Sequence, residues 1–144
     1  MKPYLFIFLI SFLSLTNCSI GNDDNTQPQV VEVYWNLINV TGGIAGVDED
    51  YALGEIIWRF NEASGVLSVE NNNTDDTKQD GLDSGDYTYS ILDDNGDLFL
   101  VVDSDEMGHL TITANEFILN ENETSQGSGA DGFIYTFRKT TVTE

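Results

Sequence analysis

From residue 31 onward, apolar and polar residues alternate in short runs, and clusters of Gly, Asn and Asp separate the runs. A period of two marks a strand with one buried face, and no stretch sustains a helical period. The first run puts Val31, Val33, Trp35 and Leu37 on one face. The second puts Ile56, Trp58 and Phe60 together, with Glu55, Arg59 and Asn61 opposite. A turn at Ala63-Ser64-Gly65 leads to the third, Leu67 and Val69, and the fourth carries Tyr87, Tyr89 and Ile91. Asp93-Asp94-Asn95-Gly96 is the strongest hairpin signal in the chain. The fifth run covers 98–102, and the sixth carries Leu110, Ile112 and Ala114. The seventh is Phe117-Ile118-Leu119, and the eighth alternates Phe133, Tyr135 and Phe137 with Ile134, Thr136 and Arg138. The long interruption at 71–85 is expected to be the least structured part of the domain.

Eight short antiparallel runs joined mostly by tight turns close most economically into a barrel, because closure removes exposed sheet edges. The expected fold is therefore all-β, a small antiparallel up-and-down eight-stranded barrel, with a two-sheet sandwich as the alternative. Such a barrel is wide enough either to be filled by its own side chains or to hold one small ligand. Trp35, Trp58, Phe60, Tyr87, Tyr89, Phe133, Tyr135 and Phe137 all fall on the inward face, so most of them are expected to be core. A shallower cup at the open end is the candidate ligand site, with Trp58, Tyr87, Tyr89 and Tyr135 as its lining. The Gly-rich loop 41–54 or the acidic loop 71–85 would cover it, and phenol tips would orient a ligand.

The first 17 residues have a different character. Lys2 precedes the apolar stretch Tyr4-Leu5-Phe6-Ile7-Phe8-Leu9-Ile10, and Leu15-Thr16-Asn17 leads to Cys18, the single cysteine of the chain. The apolar run stops at Ser11, short of the roughly 20 residues that a spanning helix needs. These features resemble a bacterial lipoprotein signal peptide, and the resemblance implies cleavage before Cys18 and acylation of its thiol. With no second cysteine, no intrachain disulfide can form. Three regions follow: a signal peptide at 1–17, an acidic flexible tether at 18–29 and one domain at 30–144. The tether is too polar and too rich in turn formers to pack. Its Asp23-Asp24 pair resembles the export signal of Bacteroidetes-type surface lipoproteins, which implies an outer-membrane protein facing the cell exterior; a generic solvated linker is the alternative.

Charge narrows the partners. Of 144 residues, 25 are acidic and 5 basic, a formal net charge of −20. Nucleic acid is not an expected partner, because phosphate binding needs clustered Lys and Arg. An anionic lipid surface would repel the domain within a Debye length of about 8 Å. Cations, small neutral or apolar molecules and basic protein surfaces remain.

Several residues together resemble the lipocalin-like domain of bacterial lipoproteins across about residues 30 to 139. They are Tyr34-Trp35-Asn36-Leu37, the hairpin Gly108-His109-Leu110-Thr111-Ile112 leading into Phe117-Ile118-Leu119, and the closing Tyr135-Thr136-Phe137-Arg138. The family's glycine two residues before the tryptophan is Val33 here. The resemblance implies that Arg138 packs across Trp35 as a cation–π contact.

Catalysis finds little support. His109, the single histidine, falls on the face opposite Leu110 and Ile112 and is expected to point to solvent, and a lipidated Cys18 cannot act as a nucleophile. Asp75, Asp76, Asp80, Asp83 and Asp86 crowd one loop, and Asp93, Asp94, Asn95 and Asp97 another. These oxygens suit calcium, yet neither loop has the spacing of a calcium-binding loop, and turns favour the same residue types. No metal site and no cofactor are assigned. Two function classes follow: a non-catalytic binding module for a small apolar or neutral ligand, or a structural or interaction module with a filled barrel. A cavity above about 300 Å³ would favour the first.

Overall fold

The computed structural model describes residues 31–143. Eleven strands are formed there, and no helix: β1 (Val31–Gly42), β2 (Val47–Asp50), β3 (Ile56–Asn61), β4 (Val66–Asn71), β5 (Gly85–Asp94), β6 (Asp97–Val102), β7 (Asp105–Ile112), β8 (Glu116–Asn120), β9 (Glu123–Thr124), β10 (Gly127–Ser128) and β11 (Phe133–Thr143). Eight of them, β1, β3, β4, β5, β6, β7, β8 and β11, pair antiparallel in sequence, and β11 returns to β1. The sheet is thus a closed up-and-down barrel, as the alternation predicts. The sandwich alternative does not occur.

The closing seam is the longest pairing, running from Val31 opposite Thr143 to Gly42 opposite Phe133. On its other side β1 changes partner. Trp35 and Asn36 pair with Trp58 and Ile57 of β3, whereas 39–42 pair with β2, a short strand that the sequence pattern did not reveal. A bulge at Ile38 reconciles these roles. It inserts one residue, so that Leu37 and Val40 both face inward although they are three apart.

The core runs down the barrel axis. Trp58, Leu37, Phe137, Ile56, Leu67, Leu100 and Leu119 are essentially inaccessible, and each such side chain contributes about 1.5–3 kcal/mol through burial. Among the hairpins, 93–96 turns as its sequence predicts: Asn95 and Gly96 both take positive φ, and the Gly96 amide donates to the Asp93 carboxylate at 2.9 Å.

The two ends of the barrel differ. At one end the segment between β4 and β5, expected to be the least ordered, has no strand but is firmly bonded. The Tyr51 hydroxyl donates to the Gln79 carbonyl (2.8 Å), Gln79 Nε2 donates to the Tyr135 hydroxyl (3.0 Å), and the Gln79 amide donates to Glu49 (2.7 Å). Leu82 packs against the core beside them. This segment plugs the end. Among the described residues, the opposite end carries only the short β3–β4, β5–β6 and β7–β8 turns, together with the start of β1 and the finish of β11.

Candidate functional site

The end without the plug holds an apolar cup of about 240 Å³ lined by Trp35, Phe60, Glu62, Tyr89, Ile91, Leu110, Ile112 and Phe117. Period-two alternation brings these residues together. β1, β3, β5, β7 and β8 contribute inward positions near that end, and among the described residues only short turns border the opening. Ile91 and Ile112, 43% and 54% exposed, form an apolar rim.

Rings make the floor and walls. Phe117 stacks on the buried Phe137 with centroids 4.3 Å apart and planes at 18°, which fixes the floor. Trp35 meets Phe117 edge to face at 5.0 Å, and Phe60 meets Tyr89 in the same way at 4.9 Å. Pairs of this kind contribute about 0.5–1.5 kcal/mol beyond area burial, so the cup is shaped before any ligand arrives. Burial, and next the carboxylate of Glu62, hold the Tyr89 phenol above its ordinary pKa.

Of the four rings expected to line a cup, only Tyr89 does so. Trp58 and Tyr135 are 1% and 2% exposed and belong to the core. The Tyr135 hydroxyl accepts from Gln79, and the Tyr87 hydroxyl donates to the Asp83 carbonyl at 2.9 Å; both tips serve the plugged end. The expected covers are also misplaced. Loop 71–85 closes the opposite end, and residues of loop 41–54 are absent from the cup lining. Full burial commits Trp58 and Tyr135 to structure, and the hydroxyl bond at the plugged end does the same for the half-buried Tyr87, neither of which alternation encodes.

The cation over Trp35 is Lys139, with Nζ 5.9 Å from the ring centroid, and not Arg138. The register gives the reason. Lys139 pairs directly with Trp35 and shares its face, while Arg138 pairs with Asn36 and is exposed. One residue of offset moves a side chain to the other side of a sheet. Trp35 itself, expected as a buried structural ring, is half-buried and lines the cup. Phe60, Glu62, Ile91, Leu110, Ile112 and Phe117 were not singled out as site residues. All but Glu62 sit at inward positions of the pattern, so the missing information was which end stays open.

His109 faces outward as expected but does not point freely to solvent. The β9–β10 hairpin folds over that face. The imidazole is 22% exposed, stands edge to face with Phe99 at 5.5 Å, and has Nδ1 3.5 Å from Glu123 and Nε2 3.9 Å from Asp97. Among the described residues no three metal-ligating side chains converge. Acidic side chains in the loops serve as local acceptors: Asp75 takes bonds from the Thr77 amide and hydroxyl, and Asp80 from Asn73. Thr77 accordingly holds the exposed Asp75 carboxyl below its ordinary range. Cys18, expected to carry the lipid, lies outside the described residues.

The geometry defines a class: a closed eight-stranded antiparallel barrel, plugged at one end and cupped at the other. No family model matches the chain, and neither does any curated protein or solved structure.

Proposed function

We propose that this protein is a non-catalytic binding module that captures a small, largely apolar molecule in the cup, and that a lipid on Cys18 holds it on the outer face of a bacterial outer membrane. The observation that carries the binding reading is the open ring-walled cup of about 240 Å³ with its exposed isoleucine rim. Exposed apolar surface around a shaped concavity is costly in water unless something covers it. The cup falls short of the roughly 300 Å³ that would by itself favour a binding module, so this reading rests on the ring walls and the exposed rim and implies a small or only partly enclosed ligand. The lipidation reading rests on the leader and Cys18. Val31, where the described residues begin, lies at the same end of the barrel as the cup.

The filled interior favours a second reading, an interaction module that contacts partners through its acidic loops. Native mass spectrometry of the gently purified full chain separates the two. A reproducible added mass that disappears on Ile112→Glu supports the cup. A bare mass, unchanged after incubation with small apolar compounds, supports the interaction module.

A further inference from the structure

The barrel wall is incomplete beside the cup. β1 and β3 pair over two residues only, Trp35 with Trp58 and Asn36 with Ile57. Continued toward the mouth, that register would set Val33 opposite Phe60 and Glu32 opposite Asn61, yet neither pair forms. Residues 31–34 pair with β11 alone, and 59–61 with β4 alone. A groove of about 520 Å³ lies along the parted strands.

The lining shows that this groove passes through the wall. Val31, Val33 and Phe60 belong to the inward faces of their strands, whereas Glu32, Arg59, Asn61 and Ser68 belong to the outward faces, and all of them border the one groove. A paired sheet keeps its two faces apart. Phe60 and Glu62 border both the groove and the cup, so the groove is a lateral slot that meets the cup at these two residues.

The two compartments differ in chemistry. Rings and isoleucines dominate the cup, while the outer part of the slot is polar. The Arg59 guanidinium is matched by Glu70 at 3.3 Å and stands over the Tyr34 ring at 5.4 Å, and Glu32 accepts the Tyr34 hydroxyl at 3.0 Å. Each of these charged groups retains further hydrogen-bonding positions, because a guanidinium has several donors and a carboxylate several lone pairs. A hydroxyl, which both donates and accepts, suits a wall that mixes the two. An anionic group there would meet the like charges of Glu32 and Glu62.

We propose that the slot between β1 and β3 is a second compartment of the ligand site, and that the ligand has two parts: a short alkyl or aryl end held in the cup and an uncharged, hydroxyl-bearing end held in the slot. The proposal rests on the cup being a binding site. It also accounts for the cup's small size, because cup and slot together fall within the range of about 300–1,000 Å³ usual for ligand sites.

The test is calorimetric titration of the full chain with hexyl glucoside, which spans both compartments, with toluene, which fits the cup alone, and with hexyl sulfate and hexyltrimethylammonium, which change the charge of the polar end. Hexyl glucoside is expected to bind at least about tenfold more tightly than toluene and than either charged probe, as one or two added hydrogen bonds would give. Val33→Trp fills the slot from a partly exposed position; it should weaken hexyl glucoside about tenfold and leave toluene unchanged. Ile112→Glu should weaken both. Val31→Trp, more exposed still, repeats the slot test if Val33→Trp lowers the melting temperature. Toluene bound as tightly as hexyl glucoside, or glucoside binding unchanged in both slot variants, would overturn the slot while leaving the cup. Tighter binding of either charged probe would overturn the uncharged end. Binding of no probe overturns both readings.

Discussion

Gln79 donates from Nε2 to the hydroxyl of Tyr135 at 3.0 Å, joining residues 56 positions apart. The same Gln79 accepts the Tyr51 hydroxyl on its carbonyl. One glutamine thus ties the β4–β5 segment to two phenols and turns an acidic loop into a plug.

Gln79→Ala should destabilise the fold by about 1 kcal/mol, since it removes a partner from a buried hydroxyl. Combined with Tyr135→Phe, the loss should be less than the sum of the two single effects. Urea unfolding of the three variants checks this. Strict additivity would mean that the bond contributes nothing.

The plug also predicts an alkaline limit. Burial first, and then the nearby carboxylates of Glu49, Asp80 and Glu55, push the Tyr51 phenol well above its usual range. Burial, with Glu121 and Asp80, does the same for Tyr135 despite the opposing bond from Gln79. In the unfolded chain both phenols ionise near pH 10, roughly their reference value. Above that pH the folded chain retains protons that the unfolded chain has lost. Stability from this source is therefore complete below about pH 10 and falls as pH rises beyond it. Tyr51→Phe should show a shallower alkaline decline in melting temperature than the parent, measured from pH 8 to 11.

Gly108 lies in β7 with φ of +147°, beside the register shift in the β6–β7 pairing, and a side chain there would collide with the carbonyl of Asn120. Gly108→Ala should cost about 3 kcal/mol or more, from backbone strain and the clash together. Gly96→Ala provides the comparison. Gly96 also has positive φ but open space around it, so only the strain of about 1–2 kcal/mol remains. Equal losses for the two in denaturant unfolding would contradict the clash at Gly108.

Cys18→Ala should move the protein from the membrane fraction to the soluble fraction without changing its melting curve, because all the core side chains named above lie at residue 37 or later. Fractionation followed by immunoblotting reads the outcome. Retention in the membrane would contradict the lipid anchor.

Much of the barrel was legible because its physics is local. Alternation in 56–60, 87–91 and 133–137 fixes which side chains share a face, and Asn95-Gly96 fixes a hairpin. A sheet that repeats such runs must bury one face and satisfy its edges, which leads to closure. Where alternation broke, the pattern lost its reach. The bulge at Ile38 moves Val40 inward, and β2, β9 and β10 are too short to carry a periodic signal.

The candidate site was less legible, because it depends on the ends of the barrel rather than on the faces of its strands. Sequence alone determined the eight strands, their inward rings and the acidic surface, since these follow from side-chain chemistry at successive positions. Tertiary structure decided that Gln79 and Leu82 fill one end, that Lys139 rather than Arg138 stands over Trp35, and that Glu62 joins four rings at the other end. Those relationships follow from register and loop closure between residues distant in the chain, which a period of two cannot specify.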